Sequence, residues 1–488
     1  MKPAPIRRLT RHLPLCVLGV LGAILGVLRA MPVQTRAAES SEAPLFRLSL
    51  TEVIDRARAS SARVGQILAL EFAASAALRE ANAHRVPEVD LTAGYTRNSN
   101  VPELTIPIPG DGIRTIFPNL PDNYRSRLAV SLPIYTGGRV TNSIAASKQD
   151  LRAAESDTRA AGADLDLETA LAYWSLVSAR EDEKTLREAI ASYEAHLKES
   201  RDREQAGMAA RNEVLAVQVD RDRAELSRLR AATAADVGNA NLVRLLGLPE
   251  GSFVEPTEPL GQPAIPSKET PGLVAEALQV RPERAALAAR VEAAEARARA
   301  QRAGMRPQFG FSAGYDYANP NRRILPPEAT WRGTWDAGVS LSLTLFDGGR
   351  VAAEAAKARA QADSARQALV DLERRIQLEV TSRVLELRTA AAALEVAGRS
   401  LVAAQEDRRV AQDRYHEGLI PSSELLDAEA ALLRAGLDRT QALVQIQVAL
   451  ANLKRATGGV EGPPATATRT ERRGAREEPV RPEQSREK

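Results

Sequence analysis

The sequence "LPIYTGGRV" at residues 132–140 returns in outline as "LTLFDGGRV" at residues 343–351. In each copy an alternating apolar run ends at a Gly-Gly pair, and a long Ala-, Leu- and Arg-rich stretch without Pro follows. Glycine adopts the left-handed turn conformations that strain other residues. We therefore predict a strand, a tight turn and a helix in each copy. The glycines of these strand-to-helix turns are Gly137, Gly138, Gly348 and Gly349.

The similarity continues at the same offset of 211 residues for more than 100 positions. The segment "EQAGMAARNEVL" (204–215) corresponds to "HEGLIPSSELL" (416–426), with Gly207 aligned to Gly418. Upstream of the second strand the offset becomes 220. The nine-residue difference means that the loop between the two strands differs in length between the repeats, and the Pro-, Gly- and Asn-rich residues 99–123 contain this difference. One structural unit is therefore used twice.

Each unit is predicted to run through a short helix, a helix, a strand, a loop, a strand, a very long helix, a turn and a helix. We place the first repeat at 45–246 and the second at 282–458. A Pro- and Gly-rich linker over 247–281 joins them.

Four segments alternate between apolar and small or polar residues, as strands do. They lie at about 87–98 and 124–136 in the first repeat and at about 307–317 and 331–346 in the second. Each is close to the ~9–11 residues that a tilted strand needs to cross a bilayer. Segments 87–136 and 307–347 hold 11 of the 18 aromatic residues, several at strand ends, which is typical of the girdles at membrane interfaces.

A soluble sheet with one buried face is the alternative for these strands, but their second face is rich in Gly and Ser rather than charged. Four strands cannot close a barrel, and lipid does not tolerate an open sheet edge. Several copies must therefore contribute strands if the sheet lies in a membrane. Two copies supply eight strands, and three supply twelve with room for a pore.

The helix lengths match each other. Residues 139–205 and 350–416 are each about 67 residues without Pro, or roughly 100 Å of helix. Each repeat also has two shorter helical segments. One has about 37 residues (210–246 and 421–457), and the other has about 23 residues (63–85 and 283–305). The combined length of one segment of each kind is nearly that of a long helix. We predict that in each repeat one continuous helix runs antiparallel to two stacked shorter ones.

Composition excludes several classes of protein. The net charge is +3, but residues 1–38 carry six Lys and Arg and no acid, so the remainder has 60 basic against 63 acidic residues. That balance argues against a nucleic-acid partner. The single Cys is Cys16, the four His are isolated, and no nucleophile and base stand in a recognisable motif. We expect no metal, no cofactor and no enzyme activity.

Both termini differ in composition from the repeats. Residues 1–38 resemble a signal peptide, with an apolar run over 13–28 that is shorter than the ~20 residues of a membrane span. An uncleaved anchor is the alternative, because Arg36 is unfavourable beside the Ala37-Ala38 cleavage site. Residues 459–488 are charged and Pro-rich and are predicted to be a disordered tail.

Together, the two-fold repeat, the paired strands that end in Gly-Gly-Arg-Val and the turn "YHEGLIPSSELLDAEAALL" (415–433) resemble the TolC-type outer-membrane efflux proteins over residues 45–460. The resemblance implies a mixed α and transmembrane β fold, in which a trimeric 12-stranded β-barrel continues into a long periplasmic α-helical barrel. It implies a passive exit duct in the outer membrane of a Gram-negative bacterium, serving a tripartite efflux pump or a type I secretion system. The implied partners are two further copies, a periplasmic adaptor, an inner-membrane transporter and outer-membrane lipid.

The resemblance also implies a gate at the periplasmic helix tips. Aligned on Gly418, Glu424 and Asp427 correspond to the family's acidic ring, whereas helix-dipole stabilisation of two solvated first-turn carboxylates is the alternative. Tyr415 corresponds to a latch residue, and Glu213 corresponds to its acidic partner.

The turns at Gly207 and Gly418 would be the surface on which the adaptor docks. One position departs from the family: Ile420 stands where the best-known member has an arginine that also latches the gate. The competing function is a periplasmic coiled-coil scaffold with a soluble sheet and no channel.

Overall fold

The computed structural model describes residues 44–110, 112–266 and 268–459. The predicted signal peptide (1–38) and the predicted tail beyond Gly459 lie outside these residues. The described residues from Leu45 onward belong to one structural unit.

Helices make up most of the described chain. In chain order they are α1 (Leu50–Ser60), α2 (Ala62–Ala83), α3 (Arg139–Gln205), α4 (Arg211–Leu246), α5 (Thr270–Val280), α6 (Pro282–Arg302), α7 (Arg350–His416) and α8 (Ser422–Thr457). The helices α3 and α7 have 67 residues each, because neither contains a Pro that would remove a hydrogen bond. Across the described ranges, no helix combines the length and the apolarity that crossing a membrane requires.

The long helices form the centre of the packing. The helix α3 packs against α4 of its own repeat and also against α8 of the second repeat. The helix α6 lies between α3 and α7, so its Ala-rich sequence is buried on two sides. Its counterpart in the first repeat, α2, packs on α3 and buries no residue fully.

The two repeats have equivalent apolar cores. Leu176 of α3 and Leu242 of α4 are buried together, and their counterparts at the offset of 211, Leu387 and Leu453, are buried together in the second repeat. Each core would contribute about 25 cal/mol for every square ångström of apolar surface removed from water. Burial of the same positions in both copies shows that the repeat in the sequence is also a repeat in packing.

The segment predicted as a linker over 247–281 contains a strand and a helix. The strand β6 (Phe253–Pro256) pairs in parallel with β1 (Leu45–Leu48), at the start of the first repeat. The helix α5 packs on α7 as α1 packs on α3, so Leu273 takes the place that Val53 takes in the first repeat. The second repeat therefore begins at α5 rather than at residue 282. The neighbouring Pro and Gly residues obscured this helix in the sequence.

The remaining strands build a sheet and a hairpin. They are β2 (Glu88–Arg97), β3 (Leu104–Ile108), β4 (Gly112–Phe117), β5 (Asp122–Tyr135), β7 (Gln308–Asn319) and β8 (Arg332–Ser342). Four of them form an antiparallel sheet in the order β2-β5-β7-β8, which joins the repeats through the β5–β7 pair. Within the described chain the outer edges of β2 and β8 have no partner strand.

Two local predictions differ from the structure. The stretch predicted as a loop over 99–123 contains the β3–β4 hairpin, whose strands alternate too briefly among Pro and Gly for the pattern to be recognised. The last strand was predicted to reach residue 346 but ends at Ser342, the residue opposite the first position of β7. Beyond Ser342 the chain has no neighbouring strand to pair with, and Phe346 is 89% exposed.

Candidate functional site

The two helix hairpins end in turns of the same construction. At each, the glycine has a left-handed backbone, with φ of +74° at Gly207 and +73° at Gly418. The amide of the following residue bonds the carbonyl five residues back, Met208 to Arg203 and Leu419 to Arg414, at 2.8 and 2.9 Å. This pattern satisfies the free carbonyls at a helix end. The repeated sequence thus produces one tip geometry twice.

Glu424 and Asp427 lie on the first two turns of α8, immediately after the Gly418 tip. Both residues are exposed, and neither carboxylate makes an ion pair or a side-chain hydrogen bond to another part of the chain that the structure describes. Their spacing of three places them on one side of the helix. Two unpaired negative charges therefore stand together at the tip.

Tyr415 is tied to α3 of its own chain. It is 2% exposed, and its hydroxyl lies 3.3 Å from Ser200 Oγ. The guanidinium of Arg203 lies 4.2 Å from the ring centroid and also donates to the Tyr415 carbonyl at 2.8 Å. Glu213, which the resemblance pairs with Tyr415, is half-buried on α4 and makes no side-chain bond within the described residues. The structure therefore does not join Tyr415 to Glu213 within one chain.

A buried polar network beside Tyr415 was not predicted. His196 of α3 places Nδ1 3.1 Å from Glu429 Oε2 and Nε2 3.0 Å from Ser422 Oγ, both on α8. Ser192 donates to the other carboxylate oxygen of Glu429 at 2.9 Å. The available signal was an acidic residue within the apolar stripe of α8, between Leu426 and Leu433, because a carboxylate is buried only with partners.

The four-stranded sheet has two different faces. One carries Leu91, Trp335 and Val339, which are 74, 73 and 69% exposed in the single chain. The register places Thr92, Arg127, Asp316 and other small or polar residues on the opposite face. An exposed apolar face of this size marks a surface that meets lipid or protein.

An ionic cluster on the polar face spans the repeats. Arg127 of β5 bonds both carboxylate oxygens of Asp336 on β8, each at 3.0 Å, and also bonds Asp316 on β7. A side chain at position 314 of β7 would occupy the space of this guanidinium, which explains the glycine there. The cluster links three strands at one height and so stabilises their register.

The strand-to-helix turns use glycine for two reasons. Gly137, Gly138, Gly348 and Gly349 all have positive φ, between +65° and +94°. At Gly137 alone a Cβ would also lie 2.7 Å from the carbonyl oxygen of Ala303 and 2.8 Å from Cβ of Arg306. The first turn is therefore packed against the end of α6, whereas the second is open in the single chain.

Known proteins share this arrangement. The outer membrane efflux protein family matches residues 53–248 and 273–459, which take in both repeats. Outer membrane protein OprJ of Pseudomonas aeruginosa is 29% identical over 420 residues, 84% of this chain and 84% of OprJ. Protein CyaE of Bordetella pertussis is 28% identical over 395 residues, 80% of this chain and 79% of CyaE.

Solved structures have the same fold. The outer membrane channel CmeC of Campylobacter jejuni is similar over 84% of this chain and 85% of its own, with a TM-score of 0.71 and 18% identity. The outer membrane protein VceC of Vibrio cholerae has a TM-score of 0.71 at 21% identity, over 84% of this chain and 96% of its own. The family match extends over both repeats, and the chain belongs to the outer membrane efflux protein family.

Proposed function

We propose that three copies of this chain assemble in a ring into an outer-membrane channel that serves as the passive exit duct of a tripartite efflux pump or a type I secretion system. Family membership supports efflux across the outer membrane. The assembly is supported by two contacts between the first and second repeat, one in the sheet and one at α6, whose counterpart surfaces have no partner among the described residues.

The sheet provides the first such surface. Within the chain, β5 of the first repeat pairs with β7 of the second. By the internal symmetry, β8 should pair with β2 of the next copy, and these are the two strands with open edges. A head-to-tail contact of this kind generates a closed ring when the rotation between copies allows it.

The helices provide the second surface. The helix α6 is enclosed between α3 and α7, whereas its counterpart α2 packs closely on α3 alone among the described elements. Its side chains Leu68, Leu70 and Phe72 are 48, 59 and 69% exposed. The symmetric occupant of the vacant side is α7 of the next copy, which would remove these apolar groups from water.

Three copies suit the chemistry of the strands. Twelve strands leave a lumen, whereas eight would leave an interior filled by side chains. With the face of Leu91 and Trp335 toward lipid, the Thr-, Gly- and Ser-rich face with its Arg127 cluster lines the lumen. Small polar side chains leave such a passage wide and wet.

The gate in this proposal lies at the Gly207 and Gly418 tips. Three Glu424 and three Asp427 around one axis would form an acidic ring that attracts cations and disfavours anions. Tyr415 would hold the closed form through Ser200 and Arg203, with Glu213 meeting a neighbouring copy. The tip turns would receive a periplasmic adaptor, which connects the duct to an inner-membrane transporter.

The competing function, a periplasmic scaffold without a channel, predicts a soluble protein whose sheet packs on a core. The membership of both repeats in an outer-membrane efflux family does not support it. The exposed apolar face of the sheet does not support it either, since no described element covers that face.

The test combines mass and conductance. Purified from outer membranes in detergent, the protein should have the mass of a trimer and form cation-selective channels in planar bilayers. Replacing Glu424→Gln and Asp427→Asn together should reduce cation selectivity and block by divalent cations. Asp202→Asn, which removes an exposed carboxylate from α3 near the same tip, should change neither property. A monomer without conductance would refute the duct, and unchanged selectivity would refute the ring.

A further inference from the structure

We propose that His196 is a positioning residue that seats the first two turns of α8, the segment carrying Glu424 and Asp427, against α3. The inference rests on the proposed gate for its functional meaning. It concerns a polar network in this chain that the resemblance does not imply.

His196 contacts α8 at two residues, Ser422 and Glu429. The N-cap of α8 is Pro421, which offers no side-chain cap, and the hydroxyl of Ser422 lies beside His196 Nε2 instead. The carboxylate of Glu429, two turns further along, lies beside His196 Nδ1. One imidazole thus binds α8 on either side of the proposed ring residues.

Because the network is buried, it fixes the position of α8 against α3. The side chains of His196 and Glu429 are 2 and 5% exposed, and Ser422 is 1% exposed. A buried polar group costs free energy unless it is hydrogen-bonded, so any movement of α8 away from α3 would leave three groups without partners. Apolar packing alone, such as Leu197 against Leu426 in the same cluster, would tolerate a shift of register far more readily.

The network exists in one repeat only. At the offset of 211, the counterpart of His196 is Asp407, and the counterparts of Ser422 and Glu429 are Arg211 and Gln218. All three counterparts are exposed in the chain. The feature is therefore not a by-product of duplication, and it acts on the helix that carries the carboxylates.

The charged and titratable groups around His196 come from every helix that packs there. Glu429 faces it from α8, and the ring of Tyr415 lies 5.2 Å away on α7. Arg408 of α7 reaches the network through Ser192, to which it donates at 3.0 Å. On α3 itself, Arg203 pairs with Glu199 at 2.8 Å. Tyr193, one turn before His196, faces α4, and burial beside Glu429 and Asp220 raises the pKa of Tyr193 to about 12.

The two ring nitrogens of His196 meet different partners. In the tautomer that satisfies both, Nδ1 donates to the Glu429 carboxylate and Nε2 accepts from the Ser422 hydroxyl. A hydrogen bond to a carboxylate is stronger than one between neutral groups. The contact of α8 with α3 through His196 should therefore favour the closed form of the proposed gate.

The first experiment measures the conductance of the full-chain protein in planar bilayers at pH 7. His196→Ala should raise the open fraction about tenfold, the effect of losing one hydrogen bond to a carboxylate. His196→Gln keeps a donor and an acceptor, so its open fraction should be close to that of the wild type. The control His416→Ala removes a half-exposed histidine at the same tip and should leave the open fraction unchanged.

The second experiment needs no conductance. Spin labels at Arg201→Cys on α3 and Ser423→Cys on α8, both exposed, report the distance between these helices in a Cys16→Ser background. His196→Ala should broaden and lengthen that distance, and His196→Gln should not. A wild type without conductance would refute the duct yet leave this measurement valid. Identical distances and identical open fractions in His196→Ala and the wild type would overturn the proposal.

Discussion

Replacement of Gly137 and Gly348 by alanine separates backbone strain from close packing at two equivalent turns. Both glycines have nearly the same left-handed backbone, with φ of +65° and +68°. They occupy the same place in the two repeats, between a strand and a 67-residue helix. The surroundings of the missing Cβ are the difference, so each variant is the control for the other.

The expected magnitudes follow from that difference. An alanine in the left-handed conformation destabilises the folded state by about 1–2 kcal/mol. Because alanine also lowers the conformational entropy of the unfolded chain relative to glycine, about 0.4–1 kcal/mol of that loss is offset. Gly348→Ala meets no atom within 4 Å and should therefore cost about 0.5–1 kcal/mol in free energy of unfolding. Gly137→Ala places a methyl group 2.7 Å from a backbone oxygen and 2.8 Å from Cβ of Arg306, neither of which can rotate away. Overpacking of this kind adds about 1–3 kcal/mol, for a total of about 1.5–4 kcal/mol.

The measurement is guanidinium unfolding of each purified variant as single chains in a dissociating detergent, followed by circular dichroism of the helices. Single chains are needed, because the proposed ring would place α2 of the next copy beside Gly348 as α6 lies beside Gly137. The midpoint of Gly137→Ala should fall several times further below the wild type than that of Gly348→Ala. Equal shifts would show that the strand-to-helix joint relaxes around the new methyl group, and a larger shift for Gly348→Ala would show that the second turn is the crowded one. Either result refutes the reasoning.

Three further outcomes are expected. Arg127→Met should lower the free energy of unfolding by about 1–2 kcal/mol, because Asp336 loses both of its bonds to Arg127. In the same unfolding assay Arg125→Met should cost under about 1 kcal/mol, because the Arg125 side chain is 62% exposed. Burial, with Glu181 nearby, raises the pKa of Asp182 from 3.8 to about 6. The folded carboxyl thus keeps its proton to higher pH than the unfolded one, and stability falls as pH rises from about 4 to about 6. Asp182→Asn should remove that fall. After allowance for partial exposure, it should raise the free energy of unfolding by about 1–2 kcal/mol at pH 7 and leave it unchanged at pH 4. The measurement compares the unfolding midpoints of the variant and the wild type at the two pH values. Leu176→Ala should cost about 2–5 kcal/mol, since the side chain is fully buried; a cost below about 1 kcal/mol would show that the core collapses around the cavity.

The sequence was sufficient for the parts of this fold that depend on local periodicity. The absence of Pro over 67 residues, bounded by Gly-Gly and Gly207, determined α3, and the same pattern determined α7. Alternation over ten or more residues indicated the four long strands. The short β3–β4 hairpin was missed, and the short helix of the second repeat, α5, was not located within the predicted linker. A few residues among Pro and Gly carry too little periodicity to distinguish a strand or a helix from a loop.

The repeat revealed which positions are equivalent, but not which repeats touch. Only the tertiary structure decided that α3 packs on α8 across the repeats, and this packing brings His196 to Glu429 over 233 positions of chain. The tertiary structure also joins Tyr415 of α7 to Ser200 of α3, rather than to Glu213, within one chain. Periodicity specifies the face that a helix buries, because that face repeats every turn. The partner of that face is chosen by the fit of whole surfaces, which no local pattern records.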